Sequence, residues 1–396
     1  MRRRYGRKVR RVKVHRRIYR KNRSRSVLKV ILICVGIAAL IFVGYSLAGP
    51  IMNLVTGKLD DTSSIGSNQS TSSTASQTPP ASSSSTPQTP ASSDTRAAVL
   101  PAASLGDLSK VEAFVKQAKA DGYNAVAVLL KNETGELLYN SQNELAQKYG
   151  AVKGKTVELA PVVKLIADNG LTPVAEINTF KDKTAANREN KNTYLIKGDS
   201  GSTWWDNSPG KGGKPWLNPY TDQAKDYILG LTDEILDAGF KEMIYLTVQF
   251  PDVRNTSPIA FPEGANAEMH QKTLTDFIAA AQEQVSAKGA KLTVAYDLRS
   301  VIGQKDNIYF GNPLNLGAKS VAPIIKLDQL GSKLKLGDTT VEKPSEKVDE
   351  AMAALVAEIK AKTGGADICP IISDKKAAKI ASGLEAAGVK AFIEVK

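Results

Sequence analysis

From residue 97 onward the chain alternates between short apolar runs and longer stretches whose apolar residues recur at i, i+3 and i+4. The short runs predict strands at AAVLP (97–101), NAVAVLL (124–130), TPVAEIN (172–178), EMIYLTVQF (242–250), KLTVAYDL (291–298), SVAPIIKL (320–327), ADICPII (366–372) and KAFIEV (390–395). Between them, stretches such as LSKVEAFVKQAKADG, VELAPVVKLIADNG and SEKVDEAMAALVAEIKAKTGG read as amphipathic helices that close at or near a Gly. One phrase recurs (ADGYNAVAV, DNGLTPVAE, DAGFKEMIY, AKGAKLTVA, AAGVKAFIE): helix end, Gly, apolar strand. Strands apolar on both faces need cover on both faces, so the alternation predicts an α/β fold, a parallel (β/α)8 TIM barrel over residues 96–396. An open doubly wound sheet is the rival, but no Gly-rich phosphate turn follows an early strand. Two places fit the barrel poorly. GQKDNIYFGNPLNLGAK, between strands five and six, is a weak helix, and no helical pattern follows strand eight.

The first ninety-odd residues follow other rules. VILICVGIAALIFVGYSLAG, Val30 to Gly49, holds no charge, and twenty helical residues span about 30 Å, the thickness of a bilayer's hydrocarbon. Fifteen basic residues and no acids lie in residues 1–30. That asymmetry predicts an uncleaved signal-anchor helix over residues 30–52, a basic cytoplasmic tail over 1–29, and the remainder outside the cell membrane. Cleavage after the weak small-residue match at Ser46 and Ala48 is the competing expectation. Residues 53–95 are rich in Ser, Thr and Pro and nearly devoid of large apolar side chains, so they predict a disordered tether.

Charge then changes the picture. The chain carries a formal +13, but the residues after the tail hold 38 bases against 40 acids, which argues against nucleic acid as a partner. Two cysteines, Cys34 in the apolar span and Cys369 in a strand, offer no disulfide framework.

Candidate chemistry is sought at the C-terminal ends of the strands, where this fold places its sites. No P-loop, dinucleotide fingerprint, G-x-S-x-G elbow, H-E-x-x-H or cysteine cluster is present, so neither cofactor nor metal is expected. His270, on a helical pattern, is expected to be an ordinary helix-surface residue. Acids without histidine suggest glycoside chemistry, in which one carboxyl protonates the leaving oxygen and a second acts as base or nucleophile. Glu176 and Asp297, inside apolar strands, are the candidates for that pair. Glu133, Gln249 and Asp374 stand at strand ends as candidate substrate contacts, with capping or solvated rim charge as the competing roles. The connection from Asn178 to Asn218 is long enough to suggest function, and it carries Trp204, Trp205 and Trp216. Their indoles are expected to stack on sugar rings or to pin the loop.

With these residues assembled, the chain resembles the putative glycosyl hydrolase domain of bacterial exported proteins, formerly the domain of unknown function DUF4015. The similarity rests on GYNAVAVLLKNETGELLY, GLTPVAEINTFKD, WWDNSPGKGGKPWLNPYTDQAKDYILGLTDEILDAGFKEMIYLTVQFP and GVKAFIEVK. It implies a TIM barrel acting on a polysaccharide or peptidoglycan-type glycan. The family pattern N-A-V-V-I-D-V-K-D-D-x-G has its strand Asp at Leu129 here, with Asn132 and Glu133 at the acids that follow. The pattern F-D-Y-V-R-F-P has its Asp at Leu246 and its Arg at Gln249. Two outcomes stay open: Glu176 and Asp297 carry out hydrolysis instead, or the barrel binds glycan as a scaffold without cleaving it. The departures favour the second.

Overall fold

The computed structural model describes residues 94–186, 201–253 and 258–395. The predicted basic tail, apolar span and nearly all of the tether lie outside these. Among the described residues no helix is long and apolar enough to cross a membrane.

Eight parallel strands close into a barrel: β1 Arg96–Leu100, β2 Ala125–Lys131, β3 Thr172–Asn178, β4 Glu242–Leu246, β5 Lys291–Asp297, β6 Ser320–Ile325, β7 in two pieces, Asp367–Ile368 and Ile371–Ile372, and β8 Phe392–Glu394. Closure comes from β1, which pairs with β2 through Ala97↔Ala125 and with β8 through Ala97↔Ile393. The TIM-barrel expectation is met, and the strand predictions err mainly at their ends. β4 stops at Leu246 rather than Phe250, because Thr247 adopts a left-handed φ of 59° that takes the chain out of the sheet. β7 is interrupted at Cys369–Pro370, where proline has no N–H to give a ladder.

Side-chain alternation sorts each strand between two cores. Ala97, Ala125, Ala127, Val174, Ile244, Ala295, Ala322, Ile371 and Ile393 fill the barrel lumen. The other faces (Val126, Val128, Ile177, Tyr245, Val294, Tyr296) pack against the surrounding helices: α1 Leu108–Ala120, α2 Leu159–Asp168, α3 Asp222–Asp237, α4 Ala267–Ala287, α5 Val348–Thr363 and α6 Ala377–Ala386. Alanines in the lumen keep eight converging strands close, so this end is a packed interior and not a channel. At the N-terminal end, polar pairs finish the plug: Thr95 Oγ1 donates to Glu242 at 2.7 Å, and Lys291 pairs with Asp367 at 3.0 Å. As the sequence suggested, the β5–β6 connection has no long helix, only Leu298–Val301 and Pro313–Asn315.

The extensions have a clear mechanical role. After β2 the chain turns back into two short strands, Leu137–Tyr139 and Val152–Val157, which sequence periodicity did not reveal. Glu234 of α3 clasps this excursion by accepting hydrogen bonds from Tyr139 (2.8 Å), Ser141 (2.5 Å) and the Gln142 backbone. Beneath it lies a fully buried ion pair, Lys131 Nζ to Asp182 Oδ2 at 2.8 Å, with both side chains inaccessible to water. The ammonium also donates to the carbonyls of Asn178 (2.7 Å) and Thr179 (3.2 Å). The other Asp182 oxygen accepts the N–H of Ala185 at 2.8 Å. Gly135, at φ +83°, lies so close that a Cβ there would stand 1.8 Å from Asp182 Oδ1.

A buried charge left without its partner is strongly destabilising, whereas replacing both partners by apolar groups costs far less. Lys131→Met is expected to lower the unfolding free energy in urea by about 3–5 kcal/mol. Lys131→Met combined with Asp182→Leu should recover most of that loss. Equal losses in the single and double variants would assign the effect to packing instead of charge.

Candidate functional site

At the C-terminal end of the barrel two hollows share the residues Thr247 and Gln249. The inner one, about 250 Å³, is lined by Asn178, Leu246, Ala295, Asp297, Leu298, Ile324, Lys326 and Gln329. The outer one, a shallower cleft of about 440 Å³, is lined by Lys181, Asp206, Asn207, Lys211, Gly212, Lys214, Trp216 and Asp252. The ridge between them is held by the unusual turn after β4. Thr247 is β-branched and sits at positive φ, a conformation that persists only when its surroundings enforce it. Here its hydroxyl accepts the N–H of Thr179 at 3.2 Å and donates to Asn178 Oδ1 at 3.3 Å, while its carbonyl accepts Gln249 N–H at 2.8 Å.

Glu176 and Asp297 both point into the barrel, but at different depths. β3 Glu176 pairs with Ile244, and Ile244 with Thr293, so Asp297 stands further along β5 toward the mouth. Asp297 lines the inner hollow, and Glu176 does not. Glu176 is 6% exposed, and burial pushes its carboxyl up to about 7. Among the described residues no hydrogen bond or ion pair reaches it. Asp297 is engaged: it caps the turn Leu298–Val301 by accepting Ser300 N–H at 3.3 Å, and it lies 3.6 Å from Arg299. Leu129 and Leu246, on the inward side of β2 and β4, are half-buried and bring no titratable group.

The remaining predicted contacts are dispersed. Gln249 accepts the Tyr309 hydroxyl at 3.1 Å and faces both hollows. Glu133 is on the rim, bound to Lys181 and 3.7 Å from Lys214, and the Lys181 hydrogen bond holds it below the usual carboxylate range. Asp374 ties two loops, accepting the N–H groups of Leu327 (2.8 Å) and Lys376 (2.9 Å). Trp204 is wholly buried in the main core, so its ring packs the loop. Trp205 is half-buried and lines neither hollow. Trp216 lines the outer cleft with its indole N–H fixed on Asp206 at 3.0 Å.

His270 corrects the sequence expectation. It is 4% exposed and enclosed by Tyr220, Phe250, Phe261 and Phe310, with its ring 3.8 Å from that of Phe310 and Nδ1 2.7 Å from the Tyr220 hydroxyl. Desolvation lowers its pKa. Helical spacing alone could not show which side of α4 those loop aromatics would cover. Among the described residues no group of three or more His, Cys, Asp or Glu could hold a metal.

The raised Glu176 carboxyl has a thermodynamic consequence. Its native form stays protonated up to about pH 7, while the unfolded one ionises near 4.5. Stability therefore falls as pH rises through that window, because the native state binds the extra proton there. Glu176→Gln is expected to raise the unfolding free energy at pH 8 by on the order of 3 kcal/mol and to leave it nearly unchanged at pH 4. The same increment at both pH values would show that ionisation is not the cause.

Comparison with known proteins places this geometry. The family model described as "Putative glycosyl hydrolase domain" matches residues 97–374. Among solved structures, the chain is similar to the PgaB (BpsB) glycoside hydrolase domain from Bordetella bronchiseptica, at 11% identity over 76% of this chain and 93% of that one, with a TM-score of 0.54. That likeness is one of fold. A hypothetical protein from Ruminiclostridium thermocellum ATCC 27405 is 25% identical over 50% of this chain and 95% of its own, with a TM-score of 0.43. No curated protein matches the chain.

Proposed function

The chain belongs to the putative glycosyl hydrolase domain family, and we propose that this member is a membrane-anchored surface protein whose barrel mouth binds polysaccharide without cleaving it. One observation carries the reading. Glycosidic cleavage needs two carboxyl groups facing one bond, roughly 5–10 Å apart. The inner hollow here is lined by a single carboxylate, Asp297, already committed to a helix cap and to Arg299. The inward ends of β2 and β4 carry Leu129 and Leu246. Leucine can neither give nor take a proton, but Leu246, in the lining of the inner hollow, presents an apolar wall against which the carbon face of a sugar ring packs.

The ligand class follows from family membership and from the open, polar outer cleft. A polysaccharide or peptidoglycan-type glycan of the cell envelope fits a mouth of this kind. The anchoring part of the reading rests on sequence alone: the uncharged run over residues 30–52 crosses the membrane, residues 1–29 remain cytoplasmic, and the Ser/Thr/Pro-rich tether presents the barrel outside.

A second reading has its own support. The Glu176 carboxyl, pushed up to about 7, is protonated at the pH where a general acid works, with Asp297 nearer the mouth as the base or nucleophile. The two readings separate in one experiment. The full chain in mild detergent is mixed with isolated cell walls and with soluble polysaccharides, and both sedimentation and release of reducing ends are measured. Cosedimentation is expected, with reducing-end release no greater than that of the Glu176→Gln/Asp297→Asn variant. Release that disappears in the variant would establish the second reading. The absence of both binding and release would remove the glycan assignment.

A further inference from the structure

The charges around the mouth do not cancel in the way the domain's overall balance does. Each acid that lines the two hollows, and Glu133 on the rim, is occupied from within. Glu133 is held by Lys181 and Lys214. Asp206 accepts the Lys214 N–H at 2.7 Å and the Trp216 indole at 3.0 Å. Asp252 accepts Asn307 at 2.7 Å and lies 3.4 Å from Lys305. Asp297 has Ser300 and Arg299.

Two ammonium groups are left over. Lys211 lines the outer cleft and Lys326 the inner hollow, and neither has a carboxylate within ion-pair distance among the described residues. The backbone that carries Lys211 is also held at a fixed place. Its loop is cross-tied by the Asp206 N–H to the Lys214 carbonyl at 3.0 Å, and Gly213 packs so tightly that a Cβ would stand 1.9 Å from the Asn207 carbonyl oxygen. Lys326 directly follows β6, beside the apolar wall of Ile324 and Leu246. A neutral glycan covering these cations would shield them from water and return no charge. A ligand with regularly spaced anions would instead meet one ammonium in each hollow and gain charge-assisted hydrogen bonds.

We infer that the mouth selects an anionic polysaccharide, whose uronate carboxylates or backbone phosphodiesters engage Lys211 and Lys326 on the two sides of the surface formed by Thr247 and Gln249. This inference rests on the glycan-binding reading above and narrows its ligand class. Hydroxyl groups along the same chain are left for Gln249, Gln329 and Asn207.

The test is affinity electrophoresis of the full chain in gels containing polygalacturonate, a poly(glycerol phosphate) or neutral dextran. The basic tail attracts any polyanion, so variants are compared within the full chain. Lys211→Gln/Lys326→Gln removes the two mouth charges. Lys335→Gln/Lys390→Gln removes two exposed lysines elsewhere and serves as the control of equal charge. The polyanions are expected to retard the wild type, and the mouth variant to bind about tenfold or more weakly, with the control unchanged. Stronger retardation by polygalacturonate or by poly(glycerol phosphate) identifies carboxylate or phosphate as the recognised group. Equal weakening in both variants would overturn the inference by assigning binding to bulk charge. Dextran bound as tightly as the polyanions would overturn charge selection and leave glycan binding standing. Binding of no polymer would overturn both.

Discussion

The ammonium of Lys131 sits at the end of β2, wholly removed from water, donating to two backbone carbonyls and lying 2.8 Å from the Asp182 carboxylate. Two hydrogen bonds and an opposite charge together are the condition under which a buried cation is tolerated. One carbonyl belongs to the last residue of β3, the other to Thr179 beyond it, and the carboxylate to Asp182 in the loop that follows. Asp182 in turn excludes any side chain at Gly135. The pair therefore fixes where β2 ends, where β3 ends and how both following loops leave the barrel. Asn178 returns the contact by donating to the Lys131 carbonyl at 3.2 Å and receives the hydroxyl of Thr247, which places the strained β4 turn in the same network. The ridge between the two hollows depends on this chain of contacts.

The mouth built on that frame is polar at its edge and apolar inside. The carboxylates that line it, Asp206, Asp252 and Asp297, each serve a cap, a loop or a lysine. Glu176, buried without a hydrogen bond or ion pair among the described residues, lies below the cavity, and its burial costs stability at neutral pH. Aromatic residues divide in a similar way. Trp204 and the ring cluster around His270 stabilise the loops, and Trp216 alone among the tryptophans reaches a hollow.

How far the sequence could be read follows from the range of the forces involved. Strand β3 was legible to the residue, because TPVAEIN is apolar, β-prone and bounded by Gly and loop signals. β4 was not, since the run Leu246–Phe250 remains apolar in composition while Thr247 turns the backbone away. Apolarity records burial, and Val248 and Phe250 are buried without belonging to the sheet. Glu176 and Asp297 were recognisable as acids in apolar strands, but their relative depth depends on inter-strand register. The Lys131–Asp182 pair had half a signal: a lysine ending an apolar strand needs a partner, but nothing local says which acid supplies it.

By itself the sequence determined the alternation of strand and helix, hence the barrel, because side-chain periodicity and glycine stops act within a few residues. The resemblance it carries also implied that Leu129 and Leu246 stand at positions where the family has acids. Tertiary structure alone decided which acids are already spent, which tryptophan borders a hollow and which lysines lack an ion-pair partner among the described residues. Those properties arise when loops from separate strands converge on one end of the barrel, and contacts between residues tens of positions apart leave no periodic mark on the chain.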